Sequence, residues 1–175
     1  MDIFVINKSD INNIEPELLE QFRYKTISNK NKLSEHCLSY LMLDRILKEV
    51  YKIENRELEF VKGKPYLKNR QKFFSISHSG EYVLIGFSDS ECGVDIEKIK
   101  NRDIDSISKR MNFRSKTLDD FYKDWTKYEA EYKLGQKCAA FFQNSFHGYM
   151  ITSVCSNIQE KFNFYIQNGE KFSNL

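Results

Sequence analysis

Asp95 and Glu97 stand two apart in Gly93-Val94-Asp95-Ile96-Glu97, and on a strand that spacing sends both carboxylates to one face while Val94 and Ile96 leave by the other. A magnesium ion commonly takes one or two carboxylates from a protein and completes its shell with substrate phosphates and waters. A solvated strand face carries such pairs too. Covering the pair without a cation would cost several kcal/mol per ion, so a covered strand requires a metal or a Lys/Arg partner.

Trp125, Glu129 and Lys133 follow one another at intervals of four, which stacks them on one face of a helix. Most Glu and Lys pairs at that spacing are surface ion pairs contributing about 0.3 to 0.5 kcal/mol, and Trp125 can be plain core. The chemical reading makes Glu129 a third metal ligand or a general base, and Lys133 a cation for phosphate charge. Ser77-His78-Ser79-Gly80 offers two hydroxyls, an imidazole and a glycine at the end of a strand, a place where an anion can be held. No third member makes Ser77 and His78 a hydrolase triad, and His78 can equally be an ordinary hydrogen-bonded histidine. Gly63-Lys64-Pro65 reads as a turn, weak evidence by itself.

Positioning these groups requires particular elements. Ile3 to Ile6 reads as an opening strand and Glu15 to Phe22 as a short helix admitting Pro16 in its first turn. Apolar residues from Leu33 to Tyr51 recur at three and four, the spacing of a long amphipathic helix. Leu58 to Val61 leads into the turn Lys62 to Pro65, and Phe73 to Ser77, Tyr82 to Phe87 and Gly93 to Ile96 are short strands. Ile104 to Met111 reads as a helix, and Leu118 to Lys137 as a second long one capped by Thr117 or Asp119. Phe146 to Val154 and Phe162 to Ile166 close the chain as strands. Gly80 to Phe87 is loosely similar to His147 to Val154, each after a long helix, a hint of duplication.

At 175 residues the chain makes one domain or two small halves sharing a core. Its 41% hydrophobic and 14% aromatic content fills such a core, and 2 prolines and 7 glycines argue against disorder. Lys plus Arg is 27 and Asp plus Glu 25, a net charge of +2 without the surplus of a nucleic-acid binder. Cys37, Cys92, Cys138 and Cys155 form no Cys-x-x-Cys pair, so neither a zinc site nor a disulfide framework is expected, and a reducing cytoplasm is the simplest home. The N-terminal run Met1 to Ile6 lacks a basic leader, and no window suggests a membrane span.

Taken in order, Gly63-Lys64-Pro65, Phe74-Ser75-Ile76-Ser77-His78-Ser79-Gly80, Gly93-Val94-Asp95-Ile96-Glu97 and Trp125-Thr126-Lys127-Tyr128-Glu129-Ala130-Glu131-Tyr132-Lys133 resemble the Sfp-type 4′-phosphopantetheinyl transferases. These enzymes move the phosphopantetheine arm of coenzyme A onto a carrier-protein serine. The resemblance implies Mg²⁺ ligands at Asp95 and Glu97, with Glu129 as a further ligand or the base, and a phosphate-contacting lysine at Lys133. It implies coenzyme A phosphate contacts at Ser77 and His78 and an adenine-side loop at Gly63, Lys64 and Pro65. Lys30, Lys32 and His36 are approximate candidates for the 3′-phosphate.

The resemblance also implies an α+β fold of two pseudo-symmetric halves, each a long helix on a small antiparallel sheet. Residues 1–98 would carry the Gly-Lys-Pro, Ser-His-Ser and Asp-x-Glu segments and 99–175 the Trp-Glu-Lys helix, with the site at their interface in a monomer. The partner would be an acidic acyl or peptidyl carrier protein, landing on Lys98, Lys100, Arg102, Lys109, Arg110, Arg114 and Lys116, against which stand only Asp103 and Asp105; a solvated charged loop is the plain alternative. The chain departs from the family at Ser75, where Asn is usual, and at Tyr128, where Lys is usual, with Lys127 a partial substitute. It is also shorter than typical members, so two other readings stand: a non-catalytic relative binding coenzyme A or a carrier, and a magnesium-dependent phosphohydrolase using water.

Overall fold

The computed structural model describes residues 1–11, 17, 21–22, 30–168 and 171–174. Most of the helix expected over Glu15 to Phe22 lies outside the described residues. The elements run β1 (Asp2–Asn7), α1 (Lys30–Glu49), β2 (Leu58–Val61), β3 (Lys64–Leu67), β4 (Phe73–Ser79), β5 (Tyr82–Ser88), β6 (Cys92–Lys98), α2 (Ile104–Met111), α3 (Leu118–Leu134), β7 (Ala140–Phe146), β8 (Tyr149–Cys155), β9 (Asn163–Asn168) and β10 (Lys171–Asn174). The fold is α+β.

Ile3 to Ile6 are all buried, so β1 has no solvent face and must lie inside a sheet. It does so in a five-stranded sheet ordered β10-β9-β1-β5-β4, antiparallel to β5 and parallel to β9. Phe4 and Ile6 point to one face, where Val83, Ile85 and Phe87 of β5 join Leu43, Ile46 and Leu47 of α1. Ile3 and Val5 point to the other, against Val94, Ile96, Tyr149 and Ile151 of a second sheet ordered β6-β8-β7. The far face of that sheet is covered by α3, through Met150 on Phe121 and Tyr122 and Val154 on Ala130 and Leu134. The layers are therefore helix, sheet, sheet, helix.

Capping chemistry sets the ends of α3. Thr117 accepts from the Asp120 N–H at 3.1 Å, and Gly135, at φ 84°, takes the left-handed position that stops the helix before the expected Lys137. Phe146 to Val154 is not a single strand. His147 and Gly148 have φ of 48° and 80°, a tight turn that separates β7 from β8. Gly63-Lys64-Pro65 also divides, with Lys62 and Gly63 turning and Lys64 and Pro65 beginning β3. Among the described residues no helix is long and apolar enough to cross a membrane.

Candidate active site

Where the edges of the two sheets meet, β4 and β6 are joined by side chains. Ser75, Ser77 and Ser79 present their hydroxyl oxygens to the N–H groups of Val94, Ile96 and Lys98, at 3.1, 3.4 and 3.0 Å. The Ser77 hydroxyl donates to Asp95 Oδ1 at 2.8 Å and that of Ser79 to Glu97 Oε2 at 3.1 Å. The sequence departure at Ser75 is thus one rung of a hydroxyl ladder.

On the other side α3 lies close to β6. A Cβ at Gly93 would stand 2.0 Å from the Ala130 carbonyl oxygen, so only glycine permits this approach. It brings Lys133 over β6, where its ammonium donates to Asp95 Oδ1 at 2.8 Å and to the Val94 carbonyl at 3.0 Å. Asp95 is 5% exposed, and its second oxygen, Oδ2, is buried without a hydrogen-bond partner among the described residues.

Glu97 and Glu129 both feel the Asp95 charge. Burial raises the Glu97 pKa, and the Asp95 charge adds to this; the Ser79 hydroxyl, the Trp125 indole and the Arg102 charge pull the other way. The buried Trp125 N–H falls short of hydrogen-bond geometry with any of the described residues, so its effect on Glu97 is that of a nearby dipole. The Glu129 pKa is also raised, by burial first and then by Asp95 and Glu97, with Lys133 in opposition. No ready cage of three or more metal-ligating side chains exists among the described residues. The unpartnered Asp95 Oδ2, next but one along the strand from Glu97, is a donor that a divalent cation taking its remaining ligands from phosphate and water could use.

From Lys133 a cavity of about 640 Å³ extends between α1, the β2–β3 hairpin, β4 and the C-terminal turn of α3. Gly63, Lys64 and Pro65 line it from the hairpin, His78 from β4 and Lys133 from α3, so residues singled out in the sequence from three elements meet around one cavity. His36 lines it as well; the side chains of Lys30 and Lys32 lie outside the described residues. Among the described residues the lining carries Lys62, Lys64, Lys133, His36 and His78 and no carboxylate, a composition fit for a polyanion. Lys64 is also tethered to Glu91 at 2.8 Å. Ser77 is absent from the lining, its hydroxyl being turned to Asp95.

Sequence reasoning did not find Lys8 and Glu35. The Lys8 ammonium lies 2.6 Å from both Glu35 Oε1 and the Gly80 carbonyl, and Glu35 Oε2 is 3.7 Å from His78 Nδ1. Desolvation lowers the His78 pKa; Glu35 raises it, and Lys8 and Lys133 lower it further. These residues are too far apart in the chain for any local pattern to join them. Lys127, offered as a stand-in beside Tyr128, lies instead over the Phe141 ring at 4.2 Å, on the β7 side.

The chain is 28% identical over 143 residues to a curated protein of Bacillus pumilus, 4′-phosphopantetheinyl transferase psf-1, in an alignment covering 73% of this chain. It spans 58% of the length of that relative. No protein-family model matches the chain.

Proposed function

We propose that the protein transfers the 4′-phosphopantetheine group of coenzyme A to a serine of an acidic acyl or peptidyl carrier protein, releasing 3′,5′-ADP. The observation that carries this reading is the junction at Lys133. One ammonium lines a basic, ligand-sized cavity and also holds the carboxylate whose other oxygen has no partner among the described residues.

In the transfer, the carrier serine oxygen bonds to the β-phosphorus of coenzyme A while the bond from that phosphorus to the bridging oxygen breaks, and 3′,5′-ADP leaves with the electron pair. The serine proton passes to Glu129, directly or through a water. Burial and neighbouring charge make Glu129 a stronger proton acceptor than an ordinary glutamate. Lys133 neutralises pyrophosphate charge from the helix side. Asp95 through Oδ2 and Glu97 would hold Mg²⁺, which when bound reduces repulsion between pyrophosphate oxygens and the incoming nucleophile, and Glu129 is left free of the ion to act as the base. Gly63, Lys64, Pro65 and His78 receive the nucleotide end.

The reading takes residues 1–98 and 99–175 as two pseudo-symmetric halves of a cytoplasmic monomer. In its support, α1 covers the sheet containing β5 and α3 covers the sheet containing β8, and each of those strands follows a tight glycine turn; the sheets themselves exchange strands across that boundary, β6 pairing with β8 and β9 lying parallel to β1. Lys100, Arg102, Lys109, Arg110, Arg114 and Lys116 are exposed around α2, where an acidic carrier would land.

A second reading, coenzyme A and carrier binding without transfer, is favoured by Tyr128. It sits near the rings of Phe113 and Trp125 while Lys127 turns to Phe141, so neither supplies the cation the family has at that point. Chromatography of reactions containing coenzyme A, with and without apo carrier proteins, separates the readings. Transfer predicts 3′,5′-ADP only when carrier is present. Binding alone predicts no product, and hydrolysis predicts free phosphopantetheine without any acceptor.

A further inference from the structure

Ser75, Ser77 and Ser79 meet Val94, Ile96 and Lys98 in one constant register, each hydroxyl accepting an N–H as a neighbouring strand's carbonyl would. The rungs differ in what becomes of the hydroxyl proton. Opposite Ser75 the residue preceding Val94 is Gly93, which has no side chain to receive it. Opposite Ser77 and Ser79 the preceding residues are Asp95 and Glu97, and both carboxylates accept.

A serine hydroxyl has a single proton. That of Ser77 is committed to Asp95 Oδ1, and the residue is 7% exposed. The same oxygen accepts from Lys133, so Asp95 is clamped through Oδ1 from β4 and from α3. Oδ2 is then the oxygen left without a hydrogen-bond partner among the described residues, buried beside the clamp.

We propose that Ser77 is a positioning residue acting through Asp95, not a phosphate contact, and that Ser79 repeats the device at Glu97. This rests on the carboxylate and cation part of the reading above. Its chemistry is that of an outer partner orienting a metal-binding carboxylate: the hydroxyl fixes the plane in which Oδ2 is offered. Without it Oδ1 is held from α3 alone, and the carboxylate is free to swing toward Lys133.

The test uses the full-length chain and two ligands separately. Mn²⁺ binding is read from loss of the free-ion paramagnetic resonance signal, and coenzyme A binding in EDTA from calorimetry. Ser77→Ala should weaken Mn²⁺ binding by about 10- to 100-fold, the usual effect of removing such a partner, while leaving coenzyme A affinity in EDTA unchanged. Ser77→Thr, which keeps the hydroxyl, should restore Mn²⁺ affinity, and Ser75→Ala, which touches no carboxylate, should leave it at the wild-type value. Should Ser77→Ala not fold, Ser79→Ala carries the test through Glu97 and should also weaken Mn²⁺ binding.

Wild-type Mn²⁺ affinity in the folded Ser77→Ala protein would overturn the proposal. So would a loss of coenzyme A affinity with Mn²⁺ binding intact, the signature of a phosphate contact. A wild-type protein that binds no Mn²⁺ would overturn both this proposal and the cation part of the transferase reading. Wild-type Mn²⁺ binding that falls in Ser77→Ala, without transfer to any carrier, would support the positioning role and defeat only the transferase.

Discussion

Lys133 reaches from the last turn of α3 to Asp95 in the middle of β6, its ammonium 2.8 Å from Oδ1. The lysine side chain is 28% exposed and the aspartate side chain 6%, so the cation faces the cavity while the anion is covered. Breaking a buried pair by removing one member leaves the other charge uncompensated, at a cost of about 3 to 5 kcal/mol. Solvent reaching the lysine reduces this.

Lys133→Met should therefore destabilise the protein by about 2 to 3 kcal/mol, and adding Asp95→Asn should restore much of the loss. Urea denaturation of the two single variants and the double variant measures the coupling. Additive losses would show that the contact contributes little.

Glu97 and Glu129 hold protons more tightly in the fold than in an unfolded chain. A carboxylate whose folded pKa is raised makes stability fall as pH climbs from the ordinary carboxylate range through the raised value. Mg²⁺ should reverse that loss by favouring the ionised forms, so its stabilising effect should be larger at neutral pH than near the ordinary carboxylate pKa. Thermal melts with and without Mg²⁺ at the two pH values test this; an equal shift at both would separate the ion from these groups. Trp125, the single tryptophan, gives a second readout by fluorescence.

Gly93→Ala places a methyl group 2.0 Å from a backbone oxygen of α3, which no rotamer change relieves. Overpacking of this kind costs about 1 to 3 kcal/mol, and because the helix must retreat from β6, Glu129 and Lys133 move away from Asp95. A folded, destabilised variant with lower kcat and nearly unchanged coenzyme A affinity is the expected outcome. Wild-type kcat would mean that helix distance does not matter to the reaction.

Lys62 lines the cavity from an exposed position. Removing a solvent-reached charge contact costs about 0.5 to 1 kcal/mol, so Lys62→Ala should weaken coenzyme A binding about 2- to 5-fold, with less effect at high salt. Calorimetry at two salt concentrations checks both the size and the trend.

The parts of the site that depend on local spacing were legible in the sequence. The alternation in Gly93 to Glu97 put the acids on one face, and the interval of four put Trp125, Glu129 and Lys133 on another. Strand β7 is not legible, because Ala140 to Phe146 contains no β-branched residue and the His147-Gly148 turn lies inside a run, Phe146 to Val154, that is otherwise continuous in strand-forming residues. Its edge position asks little of those side chains. The recurrence of serine at 75, 77 and 79 was a visible signal of a one-faced ladder, but its partners on β6 exist only once the two sheets are packed. The Lys8, Glu35 and His78 contacts are likewise products of tertiary packing.

The central claim is tested most directly by intact-mass spectrometry of a panel of apo carrier proteins incubated with this protein, coenzyme A and Mg²⁺, beside an EDTA control. The account predicts that a carrier gains the mass of one phosphopantetheine group and that EDTA abolishes the gain. Unmodified carriers throughout, from folded protein that binds coenzyme A, would contradict it.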